Sequence, residues 1–404
     1  MCAVGCGSPA MMDDAAVPDD DAFVSSTTDA YAAPTDAYAP PGSDAGGTDA
    51  WAPDAFSPGE DFAVSPTETR NTGASGEIDV PVTITDQRSF MVVATSENAS
   101  RLSVLSVTDP SGDTVLRWED WYSGDHSYTS AIYAERTATT INWPVHGDDP
   151  ALVPGTYVVR LGSYRVDGIT SRPDVNVDVT TITNRDTDLS SGVLRVVVVW
   201  ADGMADDAAL VTATEAAVDH WNDVWSMAGL SVEVRYVEST IDPDLPYPAA
   251  MTGDLLDTAS SFVTPGEIAV IVGETINSDT SQYGVAGRIP GPVIRSPISA
   301  IVIGWLANAG GDGVFSANDI QLYGEVLAHE VGHFVGLFHP VENAFDRWDS
   351  LSDTPECRNA FNCEAMLGTN LMFPYSICDA DGCVSTTILT NDQRGVMHRY
   401  TGTR

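Results

Sequence analysis

Three of the seven histidines in this 404-residue chain lie within the eleven residues HEVGHFVGLFH, and this spacing constrains the fold more than any other feature. His329 and His333 are four residues apart, so on an α-helix both imidazoles leave the same face, one turn apart. One zinc ion can bridge two imidazoles placed in this way, with each nitrogen about 2.0–2.1 Å from the metal. The stretch therefore predicts a helix that carries a zinc site.

The predicted helix has start and stop signals in the sequence. Ser316 stands three residues before Asp319, which is typical of a capping box, and Gly336 suits a left-handed C-terminal stop. A chain reversal at Gly336 would return His339 to the metal as a third ligand. The fourth coordination position would then stay open for water, as in catalytic rather than structural zinc sites.

Glu330 follows His329 and is rotated about 100° from it on a helix, so its carboxylate lies beside the metal rather than on it. A carboxylate there can take a proton from an activated water molecule and pass it on. We therefore predict that Glu330 is the catalytic general base. A metal-binding but catalytically inactive site is the alternative, and a missing glutamate would be its usual sign.

HEVGHFVGLFH resembles the signature of the metzincin zinc endopeptidases, which also have a methionine-containing turn downstream. NLMFPY at 370–375 fits that turn. DSLSDTPEC precedes it and LTNDQRGVMHRY follows it, an order similar to the pappalysin, or cytophagalysin, branch. The resemblance covers roughly residues 193–404 and is specific between 325 and 375. It implies a Zn²⁺ endopeptidase with the ligands His329, His333 and His339, and with Met372 beneath the metal.

The same resemblance implies further site residues. Tyr375 is the candidate to stabilise the oxyanion, and relatives suggest that Asp353 and Thr354 help to bind a structural Ca²⁺, with a solvated turn as the alternative. In such proteases an edge strand of the sheet pairs with extended substrate. The best candidate is in ISAIVIGW and consists of Ile298, Ser299, Ala300 and Ile301.

Two departures from the branch concern this region. Pro374 stands where pappalysin-like turns commonly have a tyrosine, and Tyr375 comes one residue later. Pro340, directly after the third histidine, is more like the serralysin branch. Serralysins carry glycine-rich calcium-binding repeats that this sequence lacks, which favours the pappalysin assignment.

Composition divides the chain into three predicted parts. Residues 1–72 have a lipoprotein-like start and then an Asp-, Ala- and Pro-rich stretch with the repeats DAYAAP, DAYAP, DAWAP and DAFSP, typical of a disordered acidic linker. Residues 73–186 contain the alternating runs IDVPVTI, SFMVVAT, RLSVLSVTDPSG, TTINWPV, GTYVVRLGSY and VNVDVTTI, which favour a β-sandwich. Residues 187–404 alternate apolar strands with helices and predict an α+β peptidase domain, a twisted mixed sheet plus the active-site helix.

The six cysteines form two groups. AVGC, ending at Cys6, resembles the end of a bacterial lipobox, so Cys6 is a candidate for lipidation, although the segment before it is too short for a complete signal peptide. The other four lie within 27 residues and suggest two disulfides and an oxidising compartment. Their pairing is open, and a four-cysteine zinc site is the rival; they are Cys357, Cys363, Cys378 and Cys383.

The charge balance limits the partners of the protein. With 58 acidic and 18 basic residues the net charge is −40, which repels phosphate backbones, so we expect no nucleic-acid binding. No apolar run is long enough for a transmembrane helix. We predict a secreted or cell-surface bacterial protein, an outer-membrane lipoprotein if Cys6 is lipidated and tethers the chain to a membrane. The sequence leaves the oligomeric state and the cleavage preference open.

These features predict a zinc-dependent endopeptidase that hydrolyses extracellular protein or peptide substrates. The alternative is a surface adhesion or scaffold protein with a vestigial metal site, a role that the β-sandwich and the long acidic linker would suit. Glu330 and the open coordination position argue against it.

Overall fold

The computed structural model describes residues 22–25, 61–96, 101–117, 137–168, 170–186, 188–247, 254–379 and 382–404. The described strands are β1 (Ala22–Ser25), β2 (Phe62–Val64), β3 (Glu68–Asn71), β4 (Glu77–Ile84), β5 (Ser89–Ser96), β6 (Arg101–Thr108), β7 (Thr114–Arg117), β8 (Ala138–Trp143), β9 (Gly155–Tyr164), β10 (Asn176–Asn184), β11 (Gly192–Trp200), β12 (Leu230–Glu238), β13 (Asp244–Leu245), β14 (Glu267–Gly273), β15 (Thr275–Ile276), β16 (Gln282–Ala286), β17 (Ile301–Gly304), β18 (Tyr375–Ser376), β19 (Cys378–Asp379) and β20 (Gly382–Cys383).

Helices lie between and after the strands of the C-terminal half. In the described part of the chain, none of them combines the length and the apolar character needed to cross a membrane. The α-helices are α1 (Ala208–Ser226), α2 (Asp254–Ala259), α3 (Trp305–Asn308), α4 (Ala317–Phe334), α5 (Ala360–Leu367) and α6 (Asn391–Arg399).

Two antiparallel sheets occupy the region predicted as a β-sandwich. One has the order β2-β10-β5-β8 with β3 also beside β10, and the other has the order β4-β9-β6-β7. In β4 the residues alternate strictly between exposed and buried, because one face of the sheet packs inward while the other meets water. Phe90 of β5 and Tyr157 of β9 join the two inner faces, with ring centroids 5.6 Å apart. All six alternating runs in the sequence are strands in the structure.

The predicted linker, residues 1–72, contains more structure than its composition indicates. Strands β2 and β3 pair with β10, and β1 pairs with β16. The segments AFVS and FAV combine phenylalanine and valine, which favour extended structure once a sheet edge is available to pair with. The prediction of a disordered linker is wrong for these strands, and most of its other residues lie outside the described ranges.

A seven-stranded mixed sheet forms the centre of the C-terminal half, with the order β12-β11-β14-β17-β16-β1-β18. Strands β11, β12, β14 and β17 run parallel, whereas β16 runs antiparallel to β17. Every residue of β14 is buried, as expected for a central strand covered on both faces. Val196 and Val198 of β11 pack in the core that includes α1 and α4, while Val197 and Val199 face the core that includes α2.

The predicted substrate edge strand is wrong. Ile301 begins β17, which has neighbours on both sides, β14 and β16, and Ile298, Ser299 and Ala300 precede the strand. The strand beyond β17 is β16, whose short sequence QYGVA contains a glycine and gives little periodic signal. Because β16 precedes β17 in the chain yet lies outside it in the sheet, strand order along the sequence did not reveal the edge.

The two halves of the protein share one packed core. Phe90 and Trp143 of the sandwich belong to the same buried cluster as Tyr400. The last residues of the chain reinforce this contact, since the Asn184 side-chain amide donates to the carbonyl of Thr401 at 3.0 Å. The sandwich is thereby attached to the helix α6 that also supports the site described below.

Candidate metal centre

Helix α4 positions two of the three clustered histidines. It begins as predicted, because the Ser316 hydroxyl accepts from the Asp319 N–H at 3.2 Å and the Asp319 carboxylate accepts from the Ser316 N–H at 2.7 Å. The last three turns are buried, since α1 crosses the helix closely. A Cβ added at Gly324 would lie 2.6 Å from the carbonyl oxygen of Ala217. The local sequence therefore sets the start of the helix, and α1 holds it in place.

The helix ends in a Schellman motif at Gly336, as the sequence predicts. The Gly336 N–H donates to the His333 carbonyl at 2.9 Å, and the Leu337 N–H donates to the Gly332 carbonyl at 3.0 Å. Gly336 has φ +117°, a backbone conformation that side chains with a Cβ rarely adopt. The reversal brings His339 back beside the helix.

The three imidazoles converge on one point. The Nε2 atom of His339 lies 3.1 Å from Nε2 of His333 and 3.3 Å from Nε2 of His329, and all three side chains are buried. Two nitrogens bound to one tetrahedral ion at 2.0–2.1 Å would lie about 3.3 Å apart. Among the described residues this is the one histidine, cysteine and carboxylate group whose ligand atoms lie within 4.8 Å of one another. The geometry fits a zinc-sized ion.

The opposite nitrogen of each ring sets its protonation. Each Nδ1 faces an oxygen atom. The partners of His329 and His333 are carbonyl oxygens, which can only accept, so in these two rings Nδ1 carries the hydrogen and Nε2 keeps the lone pair that a metal requires; in His339 the ionised carboxylate of Glu342 favours the same arrangement. The acceptors are Leu371 O for His329 at 2.7 Å, Leu337 O for His333 at 2.8 Å and Glu342 Oε2 for His339 at 3.1 Å.

Burial disfavours the charged form of His329. The pKa of His329 is lowered well below its ordinary value, first by burial and then by the neighbouring His333 and His339, so the neutral imidazole that binds metal is favoured. Burial also raises the pKa of Glu342 to about 7. Sequence reasoning missed Glu342, although a carboxylate three residues after the last histidine of the motif was a visible signal.

We expect Glu342→Ala to weaken zinc binding by about 10–100-fold, because residues that orient a metal ligand typically contribute that much. Without the carboxylate, the His339 ring loses the acceptor that fixes its orientation. A competition titration against a chelator dye measures the change. Glu342→Gln keeps an acceptor oxygen and should lose less, and equal affinity in the alanine variant would contradict the assigned role.

The predicted methionine turn lies against the same helix. Met372 is fully buried, and a Cβ added at Gly332 would lie 2.7 Å from its sulfur. The turn is held by Asn370, whose side-chain oxygen accepts from the Met372 N–H at 2.9 Å and whose amide group exchanges two hydrogen bonds with that of Gln393 on α6. The sequence showed the T-x-x-Q start of α6 but not its bond to the turn.

Glu330 is buried directly beneath strand β16. A Cβ added at Gly284 would lie 2.8 Å from the Glu330 Cγ and 3.3 Å from its Cδ. Gly284 therefore lets the strand pass close to the carboxylate, a role that the sequence alone did not reveal. A positioned carboxylate can accept and donate a proton, and the role of Glu330 as general base stays a prediction.

Tyr375 lies immediately after the methionine turn. Its hydroxyl donates to Glu364 Oε1 of α5 at 3.0 Å, and its ring packs against Phe373 with centroids 4.7 Å apart. Burial and then Glu364 raise the pKa of Tyr375, so the hydroxyl stays protonated at neutral pH. Its oxyanion role stays a prediction.

The candidate calcium residues belong to a hydrogen-bonded turn. Asp353 Oδ2 accepts from the Asp392 N–H at 2.9 Å, and the Thr354 hydroxyl donates to the carboxylate of Asp349 and to the carbonyl of Leu351 at 3.0 Å. Burial raises the pKa of Asp349 to about 7. These contacts attach the turn to the start of α6, and calcium binding by Asp353 and Thr354 stays a prediction.

The four C-terminal cysteines form two local disulfides, Cys357–Cys363 and Cys378–Cys383. The number agrees with the sequence-based prediction, the structure supplies the pairing, and the four-cysteine zinc site is excluded because all four sulfurs are paired. Cys6, the candidate lipidation site, lies outside the described residues.

Glu325 is a second buried carboxylate on α4, one turn before His329, that sequence reasoning missed. It accepts from the Ser385 hydroxyl at 2.6 Å and the Thr386 N–H at 2.9 Å, and the His220 ring lies 3.6 Å away. Burial opposes its charge, but the hydrogen bonds outweigh burial and lower the pKa of Glu325. It attaches the segment after the second disulfide to helix α4.

We expect Glu325→Gln to lower the free energy of unfolding by about 2–4 kcal/mol, because it replaces a buried acceptor of several hydrogen bonds. The pKa of Glu325 is lowered in the folded state, so its stabilising contribution is present above the unfolded pKa of about 4.3 and is lost as the pH falls below it. Urea unfolding of both proteins at pH 7 and near pH 3.5 should show the difference shrink at low pH. A constant difference would contradict this assignment.

Comparison with known proteins gives no assignment of family. No family model and no curated protein matches the chain. Metalloproteinase-II from Bacteroides fragilis is similar in structure, with 12% identity and a TM-score of 0.31 over 55% of this chain and 62% of that chain. A family two carbohydrate esterase from Cellvibrio japonicus has 9% identity and a TM-score of 0.13 over 53% and 68%. The chain thus spans less than two thirds of the Bacteroides protein, and neither likeness is strong enough to assign a fold or an activity.

Proposed function

We propose that the protein is a zinc-dependent endopeptidase that hydrolyses extracellular proteins or peptides. One observation carries the proposal: the Nε2 atom of His339 lies 3.1–3.3 Å from those of His333 and His329, and all three imidazoles are buried. Glu330, the residue after His329 on the helix, is also buried and lies beneath a sheet strand. His329, His333 and His339 would hold the ion. Three protein ligands leave a coordination position for chemistry, which a structural site would fill.

In the proposed hydrolysis, each residue of the site has a separate role. When bound, zinc would supply Lewis-acid polarisation of the scissile carbonyl and activation of a water molecule. The carboxylate of Glu330 accepts a proton from the attacking water. It then donates that proton to the amine nitrogen as the carbon–nitrogen bond breaks. Leu371 and Leu337 orient the imidazoles on the helix through their carbonyls, and Glu342 orients His339.

The substrate would bind along β16 rather than β17. Gly284 of β16 lies against Glu330, so a peptide paired with this strand would bring its backbone close to the carboxylate. Main-chain hydrogen bonds to a sheet edge bind extended segments largely independently of their sequence. Extended, unfolded or loop segments of proteins are therefore the proposed substrate class.

Incubation of the zinc-loaded protein with casein tests the proposal. We expect fragments that are absent when a zinc chelator is added and that return when zinc is restored. The enzymatic function would be refuted if the protein cleaved neither casein nor a mixed peptide library in a chelator-sensitive way. Bound zinc without cleavage would favour the adhesion or scaffold alternative.

We also propose an extracellular location, which the two disulfides support because such bonds persist in oxidising compartments. A lipid tether at Cys6 and a calcium ion at Asp353 and Thr354 belong to the same proposal. The intact mass of the mature protein tests the first, and thermal unfolding with and without calcium tests the second.

A further inference from the structure

Strand β1 lies where the sheet meets the methionine turn. It pairs antiparallel with β16, with Ala22 opposite Val285, Phe23 opposite Gly284 and Val24 opposite Gln282. On its other side it pairs in parallel with β18. Four residues from the N-terminal region thus bridge the sheet above the metal centre and the segment that follows Met372.

The register places β1 next to the proposed catalytic carboxylate. Phe23 is opposite Gly284, and Gly284 is the residue whose added Cβ would meet Glu330 at 2.8 Å. Helix α4, which carries Glu330, contacts both β16 and β1. The backbone around Phe23 therefore runs past the catalytic position.

We infer that residues 22–25 occupy the peptide-binding groove of their own chain and compete there with external substrates. The competition with substrates rests on the proposed endopeptidase function, whereas the pairing of β1 with β16 does not depend on it. An extended peptide bound to β16 would use the edge that β1 already uses, so the two cannot bind together. Because β1 belongs to the same chain, its pairing is intramolecular and is not weakened by dilution, which favours it over dilute substrates.

The sequence of β1 suits this role. AFVS combines an aromatic and a β-branched residue within a stretch otherwise dominated by Asp, Ala, Pro, Ser and Thr. Three aspartates directly precede it, and a long chain segment separates it from β2. It is a short apolar segment, long enough for one strand, in a region whose composition is otherwise typical of a linker. We expect this property of a segment that pairs with a sheet edge of its own chain.

The test uses the full chain with Phe23→Pro and Val24→Pro together. Successive N–H groups of a strand point to opposite sides, so two adjacent prolines remove a donor from each side of β1. The control carries Ala45→Pro and Gly46→Pro, which change the same region of sequence outside β1. Amide hydrogen exchange is compared in a Glu330→Ala background, where the segment cannot be cut, and casein cleavage is compared with Glu330 intact.

We expect exchange across residues 282–286 to become at least about tenfold faster in the β1 variant and to stay unchanged in the control, since sheet pairing protects amides. The zinc-loaded β1 variant should cleave casein at least about fivefold faster than the parent, because the competing strand is lost. Unchanged exchange would overturn the inference, whatever the activity.

The two proposals fail in different ways. Faster exchange with equal cleavage rates also overturns the inference, because an occupant that does not compete is not in the substrate groove. Faster exchange in a protein that cleaves nothing supports the strand pairing and refutes the endopeptidase function. Cleavage with unchanged exchange leaves the endopeptidase and removes the internal ligand.

Discussion

Replacing Glu330 by alanine is expected to lower kcat/KM for casein or a peptide by about 10²–10⁴-fold, while zinc binding stays within a factor of a few of the parent protein. General acid–base catalysis contributes rate factors of this size, equivalent to about 3–5 kcal/mol of barrier. Glu330 follows His329 on the helix and is buried, but it is not one of the three converging ligands. Initial rates and metal analysis of the same preparation measure the two effects separately.

The control for this experiment is Glu215→Ala, which removes an exposed carboxylate from α1. It should leave both rate and metal content unchanged. Glu330→Gln, which keeps the volume of the side chain, should be as inactive as the alanine variant because an amide cannot take the proton. Activity retained in either Glu330 variant would refute the assigned base, and loss of zinc would show that Glu330 holds the metal instead.

Replacing His339 by alanine is expected to abolish stoichiometric zinc binding. Even an outer partner of a metal ligand contributes about 10–100-fold in affinity, so loss of a ligand should cost at least 100-fold. Zinc bound to the folded state should raise the unfolding temperature of the parent, and this increase should disappear in the variant. Metal content after dialysis and thermal unfolding with and without zinc provide the measurements.

A second variant tests the turn that brings His339 to the other two histidines without removing the His339 side chain. Gly336→Ala keeps all three imidazoles but places a Cβ on a residue with φ +117°, so the chain reversal is strained and zinc affinity should fall. His220→Gln, outside the cluster, is the histidine control and should bind zinc like the parent. Full zinc occupancy in His339→Ala would show that the site uses a different third ligand.

The helix of the site could be predicted because its determinants are local. The i, i+4 spacing of His329 and His333, the Ser316 capping box and the Gly336 stop are all present in the structure. The strands of the sandwich could also be predicted, because the alternation of apolar and polar residues with a period of two, and the turns between the runs, can be recognised within a few residues. Even Glu342, which was missed, was close to the motif in sequence.

The errors and omissions concern contacts between distant residues. The edge of the sheet was assigned to Ile298–Ile301, yet β16 lies outside β17, and its pairing depends on the order in which strands enter the sheet. The hydrogen bonds of Asn370 to Gln393 and of Glu325 to Ser385 and Thr386 join segments 23, 60 and 61 residues apart. Composition also concealed β1 and β2 within the predicted linker.

By itself the sequence determined the local geometry of the candidate metal site: which imidazoles share a helical face, where the helix stops, and which carboxylate follows them in the chain. These follow from backbone geometry over one to three turns. Only the tertiary structure decided that the Nδ1 atoms face Leu371, Leu337 and Glu342, that β16 passes close to Glu330, and that β1 pairs with β16. The physical reason is that sheet neighbours and buried hydrogen-bond partners are selected by packing across the whole chain, which a local pattern does not encode.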